Sequence, residues 1–300
     1  MASALTVDGV KKIFGRNTVV DGVSFTVEPQ EIMGLVGPNG AGKTTTIRMA
    51  LDIIRPDAGS VALFGSAPNR QALQRVGYLP EERGLYQKSA LSDVLRYLGR
   101  LKGLSAKAAQ SRSDAMLQRV GLYEHRAKKV QALSRGMNQL AQFASALLHQ
   151  PDLVILDEPF SGLDPLNVQV MKEIIHEQQQ RGAAIIFSSH NMEDVEEMCE
   201  RVVLVSGGNV LLYGALDELK RARGIQNIRV TAPQQPADVP GVSHAKVEDG
   251  YFEYLLTEGT DPNAVLRSFL DTGIPVERFE VALPSLRDMF IEEVSRARGA

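Results

Sequence analysis

The segment GPNGAGKT at residues 37–44 constrains the fold of this 300-residue chain more than any other feature. It matches the pattern G-x-x-x-x-G-K-[ST], with an apolar strand-like segment at 31–37 before it and a helix-like segment from residue 42 after it. Glycines let backbone amides approach phosphate oxygens without a Cβ atom in the way, and the helix directs its positive end at the same anion. The pattern therefore predicts a phosphate-binding loop rather than a glycine-rich turn that merely ends a strand.

Particular side chains of this loop have predicted roles. Lys43 supplies a positive charge for the β- and γ-phosphates of a nucleotide, and Thr44 supplies a hydroxyl for Mg²⁺. We expect ATP to contact a continuous run of residues: Gly37, Pro38, Asn39, Gly40, Ala41, Gly42, Lys43, Thr44 and Thr45.

Two carboxylates follow a second apolar segment, Leu153 to Leu156. Asp157 and Glu158 are therefore predicted at the carboxyl end of a buried parallel strand, where open α/β sheets bind their ligands. Asp157 is a candidate Mg²⁺ ligand, and Glu158 is a candidate general base that polarises an attacking water. The alternative is a solvated Asp-Glu pair in a turn, which the neighbouring phosphate loop makes less favourable.

Strand-like and helix-like segments alternate over most of the chain, which predicts a mainly parallel sheet covered on both faces by helices. Residues 88–148 are predicted to form a helical subdomain within a first domain at 1–222. The sequence pattern then changes: a Pro-rich loop at 231–241 is followed by a strand-like segment at 244–257 and by further short elements. We expect a small accessory α+β domain at 223–300.

Composition limits the classes of function. The net charge of −3 gives no overall bias toward nucleic acid, which is not an expected partner. The single cysteine, Cys199, cannot form an internal disulfide and favours a reducing cytosol. No apolar run approaches the roughly 18–20 residues that span a bilayer, and the N-terminus does not read as a signal peptide. The expectation is a chain that neither crosses a membrane nor is exported.

The segment LSRGM at 133–137 narrows the class of nucleotide enzyme. Ser134 begins a helix whose apolar positions share one face, and by itself it reads as a simple helix cap. Together with the motifs above, however, the segment resembles the LSGGQ signature of ATP-binding cassette (ABC) ATPases, with Arg135 and Met137 as departures from it. The resemblance implies that Ser134 and Gly136 close over the γ-phosphate bound to an opposite subunit.

Further segments extend this resemblance. FSGLD at 160–164, with Asp164, resembles the D-loop, which contacts the partner subunit, and SSH at 188–190 resembles the switch-histidine segment. His190 is thereby implied to contact the γ-phosphate and the attacking water. Phe14 matches the aromatic residue that stacks on adenine. Glu81 stands where the family usually has a glutamine near Mg²⁺, and is implied to serve in catalysis and metal binding.

The resemblance covers residues 3–220 and implies a P-loop ABC cassette, with a mainly parallel core sheet, an antiparallel β subdomain and a helical subdomain. It also implies a subunit that hydrolyses ATP with Mg²⁺, as a homodimer or heterodimer, and that energises a separate integral membrane permease. Such a subunit is cytoplasmic and peripheral on the inner face of the cell membrane. The phrases YLPEERGLY and DEPFSGLDPLNV resemble the sodium-exporter (NatA-like) type, which implies export.

Other functions remain as alternatives at this point. A soluble cassette protein that acts on ribosomes or nucleic acid usually has two cassettes in one chain, whereas this sequence has one. Coiled-coil ATPases of chromosome maintenance need long heptad arms, which are absent from the sequence between the phosphate loop and LSRGM. A P-loop kinase would have no use for the signature or for His190.

Overall fold

A computed structural model of the protein describes residues 2–82, 84–224, 227–234, 239–248, 251–257 and 259–299. The chain separates into two compact units, Met1–Gly214 and Ala215–Ala300. The separation falls before the boundary that the sequence suggested after residue 222. Arg223, which follows the first helix of the second unit, forms ion pairs with Glu292 and Glu293 of the last helix.

A six-stranded sheet forms the centre of the first unit, in the order β5-β6-β7-β3-β8-β9. The pairs from β5 through β8 are parallel, and every residue of β3, β6 and β7 is buried, as in sheets covered on both faces. The strands are β3 (Ile32–Val36), β5 (Val76–Leu79), β6 (Leu153–Asp157), β7 (Ala184–Ser189), β8 (Arg201–Ser206) and β9 (Asn209–Ala215).

An antiparallel three-stranded sheet lies in the same unit, in the order β2-β1-β4. Its strands are β1 (Leu5–Phe14), β2 (Asn17–Val27) and β4 (Ala58–Leu63). Alternate residues of β2, such as Val23 and Phe25, are buried, which is the pattern of a strand with one face on a core. These residues share a hydrophobic cluster with Ile47 and with Met33 of the central sheet.

The helices of the first unit cover the central sheet or lie in the segment predicted to be helical. They are α1 (Lys43–Ala50), α2 (Arg70–Gln74), α3 (Leu91–Leu101), α4 (Ala106–Arg119), α5 (Arg135–Leu147), α6 (Pro165–Gln180) and α7 (Met192–Met198). After α3, the Lys102 ammonium donates hydrogen bonds to the carbonyls of Leu73 and Val76, which joins this region to the edge strand β5. Within the described part of the chain, no helix is both long and apolar enough to pass through a bilayer.

The second unit contains an antiparallel sheet in the order β11-β12-β10-β13. The strand-like segment predicted at 244–257 is two paired strands, and residues 235–238 of the predicted loop lie outside the described residues. Tyr254 packs edge-on against Phe269, with ring centroids 5.5 Å apart. The elements are α8 (Leu216–Ala222), β10 (Asn227–Thr231), β11 (Val242–Glu248), β12 (Tyr251–Leu256), α9 (Pro262–Asp271), β13 (Arg278–Ala282) and α10 (Leu286–Gly299).

Candidate nucleotide-binding site

The loop between β3 and α1 has a backbone that only glycine adopts readily. Gly37 has φ +155°, and a Cβ atom there would lie 2.1 Å from the Val205 carbonyl oxygen. Gly42 has φ +104°, and its Cβ atom would lie 2.7 Å from the Val19 carbonyl oxygen. The loop is therefore confined between β8 and β2, and its glycines leave space for the chain to turn into α1. This is the strand, loop and helix arrangement that the sequence predicted.

Lys43 begins α1 and is 6% exposed. Its ammonium donates to the Gly37 carbonyl at 2.7 Å and to the Pro38 carbonyl at 3.3 Å, and it lies 3.5 Å from Glu158 Oε1. A buried ammonium needs such partners because desolvation of an unpaired charge is costly. The Lys43 ammonium is thus held by carbonyl groups of the loop and by Glu158, which follows β6.

Asp157 ends β6 and is fully buried. Its Oδ1 accepts a hydrogen bond of 2.7 Å from the Ser188 hydroxyl on the adjacent strand β7. Its Oδ2 has no hydrogen-bond partner among the described residues. An unpartnered carboxylate oxygen in the interior fits a cation or its bound water. Ser188 was not assigned a role from the sequence, although its place two residues before His190 was a usable signal.

Glu158 lies between Lys43 and His190. Its backbone amide donates to the Ser188 carbonyl at 3.0 Å, and its φ is +50°, an uncommon conformation for a residue other than glycine. His190 Nδ1 lies 2.8 Å from Glu158 Oε2, within hydrogen-bond distance, while Glu158 Oε1 faces Lys43. The Glu158 carboxylate is buried, and the His190 ring is more than half exposed.

A cavity of about 300 Å³ brings many of the predicted site residues together. Backbone amides of the loop, the Lys43 ammonium and the start of α1 supply its positive side, and two carboxylates supply its negative side. This combination suits a nucleoside triphosphate with Mg²⁺. Proteins typically hold Mg²⁺ with one or two carboxylates together with the phosphates of the ligand. The lining residues are Val19, Asn39, Gly40, Ala41, Gly42, Lys43, Thr44, Thr45, Glu81 and Glu158.

Ser134, Gly136 and Asp164 are not among the residues that line this cavity, and neither are Phe14, Gly37, Pro38, Asp157 and His190. Ser134 caps α5 by accepting a hydrogen bond from the Met137 amide at 3.3 Å, and it is exposed. Asp164 caps α6, and the Asn167 amide that it accepts from lowers the pKa of its carboxyl. The segments that contain the two caps lie close together in space. A Cβ atom added to Gly136, near Ser134, would lie 3.4 Å from the side chain of Leu163, which precedes Asp164.

Two further predicted residues lie near the ends of strands. Phe14 ends β1 and is 49% exposed, with the Lys12 ammonium 5.6 Å from its ring centroid. An exposed aromatic ring at this position is accessible to a flat ligand. Glu81 follows β5 and is exposed at the cavity. The backbone carbonyl of the next residue, Glu82, accepts a hydrogen bond from the side chain of Gln142 in α5.

Comparisons with known proteins agree with this geometry. The sequence profile of the ABC transporter family matches residues 20–161, and that of the C-terminal domain of DrrA1-3-like ATP-binding proteins matches residues 214–294. The uncharacterized ABC transporter ATP-binding protein YhaQ of Bacillus subtilis (strain 168) is 40% identical over 97% of this chain and 98% of its own. This chain therefore belongs to the ATP-binding proteins of ABC transporters.

Other relatives support the same family. The Nod factor export ATP-binding protein I of Burkholderia lata is 40% identical over 69% of each chain. The ABC transporter ATP-binding protein NatA of Bacillus subtilis (strain 168) is 36% identical over 66% of this chain and 82% of its own. A solved ATP-binding subunit of an ABC transporter matches with a TM-score of 0.70 and 31% identity, over 74% of this chain and 94% of that chain. The cassette fold and the ABC resemblance are confirmed.

Proposed function

We propose that this protein hydrolyses ATP to ADP and phosphate with Mg²⁺. The observation that most supports this activity is the position of Glu158, buried beside the phosphate-loop cavity and within reach of both Lys43 and His190. A carboxylate at this place is able to take a proton from a water that attacks the terminal phosphate. Family membership independently implies ATP binding.

Each residue has a distinct part in the proposed reaction. Lys43 exchanges its loop carbonyl partners for the β- and γ-phosphate oxygens. Glu158 acts as general base. His190, which is hydrogen-bonded to Glu158, orients the water and contacts the γ-phosphate. Bound Mg²⁺ would neutralise phosphate charge, held by Thr44, Asp157 and Glu81. Phe14 stacks on the adenine ring, and the loop amides from Gly37 to Thr45 hold the phosphates.

We further propose that two subunits close head to tail over two ATP molecules. Ser134 and Gly136 lie at the N-terminus of α5 but not in the lining of their own cavity, and Ser134 and Asp164 are exposed. A helix N-terminus attracts an anion through its amides and dipole, so this end of α5 is suited to the γ-phosphate held by another subunit. Asp164, in the adjoining segment, would contact that subunit.

The proposed biological role is to energise a separate membrane permease, most simply an exporter. Export is supported by the similarity to the Nod factor export ATP-binding protein of Burkholderia lata and by the NatA-like sequence phrases. We propose that the helical subdomain at 88–148 and the loop at 80–87, of which residue 83 lies outside the described residues, contact the permease. Tyr86 and Tyr97 are both about half exposed there and pack edge-on at 5.6 Å. Residues 1–222 would be the ATPase part and 223–300 an accessory part.

Phosphate release by Glu158→Gln tests the base assignment. We expect turnover to fall by about 10²–10⁴, because a general base typically contributes that factor. ATP binding should persist, since the loop and Lys43 are unchanged. The matched control is Glu173→Gln, which removes an exposed carboxylate paired with Arg119 and should leave turnover near wild type. Vigorous hydrolysis by Glu158→Gln would contradict the assignment.

Sedimentation of the Glu158→Gln protein with ATP and Mg²⁺ tests the dimer. A further Ser134→Glu change should prevent ATP-driven dimerisation, because it places a negative charge where the partner's phosphate is proposed to lie. Ser105→Glu is the matched control, since Ser105 is likewise an exposed serine cap, on α4. Equal dimerisation of both variants would count against the composite site.

Capture of membrane partners tests the transport role. Tagged Glu158→Gln protein is incubated with detergent-solubilised native membranes, ATP and Mg²⁺, and the captured proteins are identified by mass spectrometry. A multi-span membrane protein at near-stoichiometric yield is the expected result. Recovery of ribosomal or DNA-bound proteins in its place would overturn the transport role and leave the ATPase proposal standing.

A further inference from the structure

Ser188 is a fully buried serine near the carboxyl end of strand β7. It lies in β7, which pairs with β6 on one side and with β3 on the other, and its direct neighbour on β3 is the buried Leu35. Burial of a hydroxyl without a hydrogen bond costs free energy, so an apolar residue would suit this position better if packing were its only role. The reason for a serine must therefore be sought in its partner.

That partner is the Asp157 carboxylate. The two residues are register partners across parallel strands, and the Ser188 hydroxyl donates to Asp157 Oδ1 at 2.7 Å. The Ser188 carbonyl also accepts the Glu158 amide at 3.0 Å. One residue of β7 thus holds the side chain of the first carboxylate and the backbone of the second, while Asp157 Oδ2 stays without a partner among the described residues.

We propose that Ser188 is a positioning residue for the Mg²⁺-dependent step, an inference that rests on the ATPase function proposed above. The terminal torsion of an aspartate is broad, so an unrestrained carboxylate distributes its two oxygens over several orientations. The hydroxyl engages Oδ1 and leaves Oδ2 as the oxygen available to the cation or its water. Partners of metal-binding groups typically change metal affinity by about 10–100-fold when they are removed.

The test measures binding rather than turnover. A fluorescent, non-hydrolysable ATP analogue (N-methylanthraniloyl-AMPPNP) is titrated into the full-length protein at a series of free Mg²⁺ concentrations and, separately, in EDTA. For Ser188→Ala we expect the half-saturating Mg²⁺ concentration to rise about tenfold. Affinity in EDTA should be unchanged, because the phosphate loop is intact. Ser188→Thr, which keeps the hydroxyl, should restore the wild-type Mg²⁺ requirement.

Ser113→Ala is the matched control, because Ser113 is also fully buried but its hydroxyl has no partner among the described residues. It should bind the analogue as wild type does at every Mg²⁺ concentration. An unchanged Mg²⁺ requirement in Ser188→Ala would overturn the proposal, and so would equal defects in the alanine and threonine variants. An equal loss of affinity in EDTA would show a general structural role instead. A wild-type protein whose analogue binding did not depend on Mg²⁺ would overturn the proposal that Thr44, Asp157 and Glu81 hold the cation, and phosphate release would still test the ATPase function separately.

Discussion

A methyl group at Gly37 is the smallest change that should damage the site and the fold together. Gly37 follows β3 and has φ +155°, and its added Cβ atom would lie 2.1 Å from the backbone carbonyl oxygen of Val205 in β8. That oxygen belongs to the backbone of a strand that is hydrogen-bonded to β3. It therefore cannot move away as the end of a flexible side chain can. Gly37→Ala therefore requires either the loop or β8 to move.

The expected cost is the sum of two effects. A residue other than glycine in an unfavourable backbone region costs about 1–3 kcal/mol. An extra methyl in a well-packed interior adds about 1–3 kcal/mol. The free energy of unfolding should therefore fall by roughly 4 kcal/mol, a large share of the about 5–15 kcal/mol that typically stabilises a domain. Gly40→Ala, at φ +79° with no heavy atom within 4 Å of its Cβ atom, should cost only about 1–2 kcal/mol.

Urea unfolding followed by far-UV circular dichroism measures this difference, and equal m-values confirm that midpoints can be compared. Binding of a fluorescent ATP analogue provides the second readout. Because Gly40 lines the cavity, Gly40→Ala should bind nucleotide more weakly while it keeps most of its stability. If Gly37→Ala were as stable as Gly40→Ala, the close approach of the loop to β8 would be wrong.

Two other predictions concern buried titratable groups. Burial, with a smaller effect from Lys102, lowers the pKa of His149 to about 4. The unfolded chain therefore gains a proton below about pH 6.5 that the folded protein does not bind, so stability falls as the pH drops from about 6.5 to about 4. Because the ring is partly exposed, we expect an effect of about 1–2 kcal/mol. In urea unfolding at pH 7 and 4.5, His149→Gln should lose this part of the pH dependence and His176→Gln should keep it; identical profiles for both variants would contradict the reasoning. Burial also raises the pKa of the Cys199 thiol, so native protein should resist alkylation and denatured protein should react with one equivalent of reagent; rapid labelling of the native protein would refute this.

Local patterns were sufficient to predict the elements around the site. The loop at 37–44, the apolar run that becomes β6 and the helix cap at Ser134 each depend on residues close together in the chain. Hydrophobic periodicity is a local signal, so the alternating strands and helices could be predicted from spacing, and the ABC cassette from the resemblance of its motifs. The roles assigned to the individual site residues, including Phe14 and Glu81, stay predictions.

Elements that depend on partners distant in the chain were harder to predict from the sequence. The short strand β10 is paired on both sides, with β12 and β13, and it was not predicted, although its residues NIRVT alternate polar and apolar side chains. The alternating pattern predicts one strand-like segment over 244–257, whereas the structure pairs two strands there, because alternation is the same in both. The predicted domain boundary after residue 222 stays a prediction, beside the two compact units Met1–Gly214 and Ala215–Ala300.

The sequence by itself predicted which side chains are available for phosphate, metal and water, since motifs record residue types at fixed spacing. Only the tertiary structure decided which of them meet. The order β6-β7-β3 places strands side by side that are far apart in the chain, and it brings Ser188 to Asp157 and Glu158 to Lys43. Parallel strands are joined by crossovers, so their carboxyl ends gather at one edge whatever their separation in sequence. The strand order therefore set the contacts of Glu158 and the partner of Asp157.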